Sequence, residues 1–247
     1  MREYSVEPNP TVPFEVAHAD AHLLVVAKPP GVVTQPGKKH ERTSLLNGLF
    51  CRYGKPLQNL GAARGWGLLH RLDKDTSGLV LVALRVRAYE HLLDQFKRRL
   101  VKKTYWAIVA GTPRPAQGVI QKPIAEIVGT RKRAVIRRDG KQAITAYRIL
   151  QCGAGATLIE ARPKTGRLHQ IRVHMASLGH PVVGDALYAT GSDLPPVPRH
   201  CLHAASLSFV HPEAGRRLTI VSPWPADLRK TLKRLGLTAP TAEQTAR

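Results

Sequence analysis

The chain has 247 residues, 43% of them hydrophobic, which suits a globular protein with one large domain or two small ones. No apolar run approaches the roughly 20 residues of a membrane-spanning helix, and the N-terminus does not resemble a signal peptide. Three cysteines, Cys51, Cys152 and Cys201, form no CxxC pair, which favours reduced thiols in a cytoplasmic protein over a disulfide framework or a zinc site.

The charge balance is strongly basic. Lys and Arg total 38 against 17 Asp and Glu, so the formal net charge is +21. Such a surface favours a polyanionic partner, because each phosphate that a cation neutralises releases counterions. A codon bias that enriches arginine would raise the charge without any function. The composition therefore favours a nucleic-acid partner and leaves DNA and RNA open.

The first half of the chain predicts two buried strands and two helices. Residues 1–13 are polar and rich in proline, as in an extended arm. Leu23–Lys28 (LLVVAK) and residues 78–83 (GLVLVA) are short apolar runs typical of buried strands. Thr43 or Ser44 could cap a helix that runs to about Arg52. The second helix is predicted from an apolar stripe at positions i, i+3, i+4 and i+7, formed by Tyr89, Leu92, Leu93 and Phe96.

The middle of the chain predicts strands around a basic segment. Residues 103–109 and 156–161 have strand character, and a basic stretch from Arg131 to Arg138 lies between them. Asp139-Gly140 closes this stretch and predicts a hairpin turn. The segment could be a solvated hairpin or could contact phosphates, and the sequence favours neither interpretation.

The C-terminal part predicts two helices and two strands. One helix has an apolar face ending at Gly179, formed by Leu168, Ile171, Met175 and Leu178. Strands are expected at residues 201–209 and 217–221, then a helix that stops at Gly236, with residues 238–247 as a disordered tail. Strand runs with irregular helices between them indicate an α+β fold with a mixed, largely antiparallel sheet.

Several common sites are excluded by their motifs. The chain lacks a GxGxxG after a strand, a GxxxxGK[ST] loop, an HExxH helix and a GxSxG elbow. His169 and His174 are five residues apart and would lie on different sides of a helix, which argues against a metal site there. We therefore expect no metal and no small-molecule cofactor.

Two polar segments could carry chemistry. The first is HRLDKDTSG, residues 70–78, which lies between apolar runs that would hold it rigidly, although its Asp and Ser could simply make turn hydrogen bonds. The second is KTGRLHQIRVH, residues 164–174, where Thr165 or Gly166 would start a helix whose free N–H groups can bind phosphate. Arg172 on this helix could pair with a carboxylate from elsewhere, or the helix could be an ordinary basic surface.

These segments resemble those of the RluA family of RNA pseudouridine synthases. HRLDKDTSG matches the family's HRLDxxTSG signature, and TGRLHQIRVH followed by LGHPVVGDALYA resembles its second long signature. Residues 28–31 (KPPG), 103–107 (KTYWA) and 202–204 (LHA) resemble three shorter family motifs. The matches keep the family's order and cover about residues 23–221.

The resemblance implies a fold, a reaction and a set of site residues. The fold is a mixed, mostly antiparallel sheet with flanking helices and a central basic cleft, here at residues 14–237. The reaction converts uridine in RNA to pseudouridine without metal or cofactor. The matching positions imply Asp73 as catalytic nucleophile, Tyr105 against the target base and Arg172 as the basic partner of the Asp. Substrate contacts are expected from Arg71, Leu202, His70, Arg167 and His169.

The resemblance also bears on partners. It implies ribosomal or transfer RNA as the substrate of a monomeric, cytoplasmic enzyme that does not bind membranes. Many relatives carry a small RNA-binding domain before the catalytic one, whereas only about 20 residues precede LLVVAK here. We therefore expect substrate choice to depend on the catalytic domain and its charge.

Three other classes of protein would share some of these features. A non-catalytic RNA-binding protein would share the charge but would not need Asp73, Tyr105 and Arg172 together. A glycosidase would use two carboxylates, which Asp73 and Asp75 could supply, but the 5% aromatic content does not favour a sugar cleft. A DNA-acting base-flipping enzyme would be distinguished by activity on DNA of matched sequence.

Overall fold

The computed structural model describes residues 5–127, 133–189 and 196–241. The chain forms two compact units. Unit 1 comprises Met1–Val101 and Ser206–Ser222, and unit 2 comprises Lys102–Ala205 and Pro223–Arg247. The described elements are, in chain order, β1 (Glu15–Ala19), β2 (Leu23–Lys28), α1 (Leu45–Leu60), β3 (Ser77–Ala83), α2 (Val86–Lys97), β4 (Lys102–Ala110), β5 (Gln117–Gln121), β6 (Ile124–Ile127), β7 (Arg133–Ile136), β8 (Ile144–Cys152), β9 (Ala156–Pro163), α3 (Gln170–Ala176), β10 (Leu202–Val210), β11 (Arg217–Val221) and α4 (Arg229–Arg234).

Unit 1 is built on two strands that are buried on both faces. β2 pairs antiparallel with β1 on one side and with β3 on the other, from Leu23 opposite Ala83 to Lys28 opposite Gly78. Every residue of β3 is buried, which explains its unbroken apolar sequence. The apolar face of α2 contributes Ala88 and Leu92 to this core. The strands predicted at residues 23–28 and 78–83 and the helix predicted around Tyr89 are confirmed.

Helix α1 is longer than its sequence predicted. Ser44 caps it, as expected, through a reciprocal hydrogen-bonding arrangement with Asn47. The predicted end at about Arg52 falls at a non-helical break at Tyr53 (φ −127°), and a second helical stretch continues from there to Leu60. Pro56 has no N–H to donate to the carbonyl four residues earlier, that of Arg52. The proline therefore bends this helix at the predicted boundary and does not end it.

Unit 2 is a set of antiparallel strands with helices on its core. β9 pairs with β4 and β8, and β8 pairs with β5. The core contains Trp106 of β4, whose ring stacks on Trp224 at 6.2 Å, together with Met175 of α3 and Leu232 of α4. The final helix ends at Arg234, and Gly236 (φ 65°), the residue predicted to stop it, follows its C-cap Leu235. The strand pairs of both units described above, β1–β2, β2–β3, β4–β9, β5–β8 and β8–β9, are antiparallel, and the α+β class is confirmed.

The predicted hairpin at Asp139-Gly140 is wrong. β7 pairs with β6 and not with β8, so the two strands that flank this turn are not partners. Gly140 is needed for another reason: a Cβ there would lie 2.5 Å from the backbone carbon of Ile124. Arg131 and Lys132 of the basic segment lie outside the described residues, as do residues 1–4 of the predicted arm and 242–247 of the predicted tail.

Candidate active site

The HRLDKDTSG segment forms a loop that leads into β3. Ahead of the loop, Leu68 pairs antiparallel with Val82, and the Leu69 N–H donates to the Leu81 carbonyl at 3.2 Å. Within the loop, the Thr76 N–H donates to the Asp73 carbonyl at 3.2 Å and closes a turn. The side chain of Asp73 is partly exposed. A buried strand therefore carries a carboxylate on a short, tied loop, as the sequence predicted.

Thr34 fixes the residue before Asp73. Its side chain is 3% exposed, and its Oγ1 both donates to the Leu72 carbonyl and accepts from the Leu72 N–H, each at 3.0 Å. The side chain of Leu72 is buried as well. Because both backbone groups of Leu72 are held by one hydroxyl, this side of the Asp73 loop has little freedom to move.

Lys28 fixes the residue after Asp73. This lysine is 1% exposed, and its Nζ donates to the carbonyls of Pro29 at 2.8 Å, Val32 at 2.7 Å and Lys74 at 3.0 Å. An ammonium has three protons, so three carbonyls compensate its loss of water. The KPPG turn thus ties the Asp73 loop to β2. Sequence reasoning treated KPPG as a turn and missed this role of its lysine.

His70 and Arg71 occupy different environments in the same loop. The Nε2 of His70 accepts the Leu81 N–H at 3.0 Å, and its ring lies 5.4 Å from that of Phe96. Arg71 is exposed. The contacts of His70 anchor the loop to β3 and α2, whereas the exposed guanidinium of Arg71 can meet a ligand. Substrate binding by either residue stays a prediction.

In unit 2, Tyr105 lies on β4, which pairs with β9. It is opposite Ala161 of β9, which is opposite Tyr147 of β8. The ring of Tyr105 is partly buried against the core of the unit. Leu202 begins β10 and is 4% exposed in the same core. Both positions are rigid, as residues that contact a base need to be.

The helix of the second signature begins later than predicted. It starts at Gln170, after His169 in the left-handed conformation (φ 50°), so a start at Thr165 or Gly166 is wrong. The Gln170 side chain accepts from the Thr165 hydroxyl at 2.7 Å and from the Arg167 N–H at 3.0 Å. These local bonds stabilise a loop where the sequence predicted a first turn. The phosphate site predicted at a helix start on Thr165 or Gly166 therefore has no helix N-terminus at those residues.

Arg172 forms a buried ion pair with Asp185. Its Nε lies 2.6 Å from Oδ2 and its Nη2 lies 2.8 Å from Oδ1, a bidentate geometry between side chains that are 6% and 0% exposed. Burial alone would raise the pKa of Asp185, but the hydrogen bonds and charge of Arg172 outweigh it and hold that pKa below its usual range. The Leu187 N–H also donates to Asp185 Oδ1, at 3.0 Å.

Tyr188 connects this pair to the loop before α3. Its ring lies 5.3 Å from the Arg172 guanidinium carbon, and its hydroxyl lies 3.0 Å from His169 Nδ1. Arg167 is exposed and donates from Nε to the Gln142 carbonyl at 3.2 Å. Asp185 and Tyr188 were missed as site residues, although both stand in the quoted stretch LGHPVVGDALYA. A carboxylate in a signature that also supplies an arginine was the available clue.

The predicted site residues fall into two groups. Unit 1 brings together three of them, His70, Arg71 and Asp73, and unit 2 holds Tyr105, Arg167, His169, Arg172 and Leu202. Among residues 5–127, 133–189 and 196–241, no cluster of three or more His, Cys, Asp or Glu side chains could hold a metal ion. In the same part of the chain, every helix is too short or too polar to cross a membrane.

Comparisons with known proteins agree on one family. A family model described as RNA pseudouridylate synthase matches residues 22–177. The chain is 37% identical over 233 residues to a ribosomal large subunit pseudouridine synthase D of Zymomonas mobilis, covering 91% of this chain and 73% of that protein. It is 36% identical over 225 residues to an uncharacterized RNA pseudouridine synthase of Synechocystis, covering 90% and 68% of the two.

A solved structure gives the same result. The human RNA pseudouridylate synthase domain containing 1 matches with a TM-score of 0.72 at 26% identity, covering 100% of this chain and 96% of that chain.

Proposed function

This chain belongs to the RNA pseudouridylate synthase family, and we propose that it isomerises specific uridines in ribosomal or transfer RNA with Asp73 as the nucleophile. The observation that supports the choice of Asp73 is the way its loop is held on both sides. Thr34 holds the backbone before it and Lys28 holds the backbone after it, while the carboxylate itself is partly exposed. A reactive group on a fixed backbone is what a precise site requires.

The reaction exchanges one bond for another. The bond from uracil N1 to ribose carbon 1′ breaks, the base turns, and a bond forms from uracil C5 to the same carbon. The proton on C5 is lost and N1 gains one, so neither an oxidant nor a group donor takes part. Asp73 would act at carbon 1′, at the base or on the 2′ hydrogen.

The other roles follow from the family motifs and the local geometry. Tyr105 would stack on the uracil while it is detached, since its ring is fixed by the strand that carries it. Leu202 would support the base from a buried position. Arg71 would enter the base stack that the uridine leaves. We propose that Arg172 assists Asp73 in addition to pairing with Asp185, and that His70, Arg167 and His169 contact the substrate.

The basic surface would bind the RNA backbone. The target base has to leave its helix, which costs a few kcal/mol, and phosphate contacts from a protein of charge +21 can offset that cost. We propose that residues 14–237 act as one catalytic domain with a basic cleft, in a monomeric cytoplasmic enzyme. Its chemistry would need no metal or cofactor.

One experiment tests this function directly. The purified protein is incubated with RNA whose uridines carry tritium at C5, because forming the new bond expels that hydrogen into water. We expect tritium release in the presence of EDTA, and no reaction with DNA of matched sequence. Mapping pseudouridine in RNA from cells with and without the gene would then identify the target. The proposal would be contradicted if no ribosomal or transfer RNA of the source released tritium.

A further inference from the structure

Lys103 stands two residues before Tyr105 on β4. Side chains two apart on a strand point to the same face, so the amine and the aromatic ring share one side of the sheet. The Nζ of Lys103 lies 3.8 Å from the place where a Cβ on Gly166 would be. Gly166 belongs to the loop that leads into α3. The amine therefore lies between the strand of Tyr105 and the loop before Arg172, entirely within unit 2.

The amine of Lys103 has no compensating contact in the part of the chain that the structure describes. Within the described ranges, Lys103 makes neither a hydrogen bond nor an ion pair, whereas the buried Lys28 donates to three carbonyls. Loss of water lowers the pKa of Lys103 to about 8. Lys103 is half-buried, and a partly dehydrated cation without a partner adds a cost to folding. An arrangement of this kind is typical of a group that a ligand completes.

Among the described residues of unit 2 next to Lys103, none supplies an unpaired anion for it. Apart from Glu160, the other ionisable side chains of β4, of β9 and of residues 164–167 are a phenol and cations, namely Lys102, Tyr105, Arg162, Lys164 and Arg167. Glu160, the one acid of β9, is bound by Arg148 at 2.8 Å and by Arg162 at 2.7 Å. Glu160 is opposite Trp106, and so lies on the sheet face away from Tyr105. An incoming ligand would have to bring the negative charge.

We propose that Lys103 binds an anionic oxygen of the target nucleotide. The oxygen belongs either to a phosphate or to the uracil, which takes on negative charge as it leaves the ribose. A partly dehydrated ammonium interacts more strongly with such an oxygen than an exposed one does. The inference rests on the proposed place of Tyr105 beside the base.

Kinetics of two matched variants test it. Lys103→Met should lower kcat/KM for RNA roughly 10- to 100-fold. Lys102→Met removes the same charge from the exposed, opposite side of the strand and should stay within about twofold. If the partner is a phosphate, adding Lys103→Met to the Asp73→Asn protein lowers the affinity of that protein for RNA. If it is the uracil, the loss appears in kcat and that affinity is unchanged.

A pH profile separates this role from a structural one. In the wild type, kcat/KM should fall above about pH 8 as Lys103 loses its proton. Lys103→Arg keeps its charge at that pH, so it should retain activity and lack this fall. Ionisation of uridine itself affects both proteins equally and cancels in the comparison.

Two results would overturn the proposal. One is a Lys103→Met protein as active as Lys102→Met. The other is a pair of pH profiles, wild type and Lys103→Arg, with the same fall. If Lys103→Met does not fold, the pH profiles of the wild type and Lys103→Arg still test the proposal. A wrong assignment of the nucleophile gives a different result. In that case Asp73→Asn still converts RNA, and the pH profile of the wild type can still be measured.

Discussion

The ion pair of Arg172 and Asp185 makes the sharpest prediction about stability. Arg172→Met would leave a carboxylate that is 0% exposed, and its remaining hydrogen-bond partners among the described residues are the N–H groups of Leu187 and Tyr188. Breaking a buried pair in this way costs about 3–5 kcal/mol. In a protein of this size, each kcal/mol lowers the melting temperature by roughly 2–4 °C, so we expect a fall of about 6–20 °C.

A double variant separates stability from catalysis. Arg172→Met with Asp185→Leu removes both charges, and apolar replacement of a whole buried pair is often neutral. We expect this protein to regain most of the lost melting temperature, measured by circular dichroism. If Arg172 also assists Asp73, tritium release stays at least tenfold below wild type. A wild-type melting temperature for Arg172→Met would refute the stability argument, and full activity of the double variant would remove Arg172 from the catalytic group.

The same pair has a signature in acid. The pKa of Asp185 is lower in the folded protein than its ordinary value of 3.8, so its contribution to stability is complete above that value and is lost as pH falls through the folded pKa. Asp185→Asn should therefore be less stable at pH 7 and lose less on acidification below pH 4. Urea midpoints between pH 7 and pH 2.5 measure the difference. Parallel curves for the two proteins would contradict the sign of the shift.

Three further predictions concern other parts of the molecule. Lys28→Met deprives three carbonyls of a donor and should lower the melting temperature by several degrees, whereas Lys38→Met, at an exposed lysine, should not. Burial raises the pKa of Cys201 to about 12, so a thiol reagent at pH 8 should modify Cys51 and Cys152 quickly and Cys201 only after denaturation. The logarithm of RNA affinity should fall by roughly 0.7–0.9 per phosphate contact for each unit of log salt, and a flat response would mean that the basic surface does not bind RNA.

Local patterns predicted the strands well. LLVVAK and GLVLVA became fully paired strands of unit 1, because an apolar run of six or seven residues between turns has few other ways to be buried. Thr43 or Ser44 was predicted as the cap of α1, and the cap is Ser44, whose hydroxyl accepts the N–H of Asn47 three residues later. These features depend on neighbours in the chain, which the sequence displays.

Features that depend on distant residues could not be predicted. Asp139-Gly140 suggested a hairpin, but its glycine is required by the backbone of Ile124, sixteen residues earlier. The start of α3 was misplaced because the Gln170 side chain forms hydrogen bonds with the Thr165 hydroxyl and the Ile144 carbonyl. Ile144 lies in strand β8, far from Gln170 in the sequence. The partner of Arg172 depends on where the loop after α3 folds back, which spacing does not reveal.

The candidate site shows the same division. The family motifs gave the identity of Asp73, Tyr105 and Arg172, and the structure gives the local contacts of each. Nothing in the sequence of KPPG shows that its lysine is buried against Lys74. Nothing in KTYWA shows that Lys103 has no hydrogen-bond or ion-pair partner among the described residues, where Lys28 has three. Both facts depend on burial, which a motif does not record.

The most direct test of the account is the activity of Asp73→Asn. This change removes the charge of one carboxylate and keeps its shape, and the backbone contacts of Thr34 and Lys28 on either side are unaffected. We expect a wild-type melting temperature, wild-type affinity for RNA and no detectable tritium release, while Asp75→Asn in the same loop keeps measurable activity. Turnover by Asp73→Asn within tenfold of the wild type would contradict the assignment of Asp73 as the nucleophile.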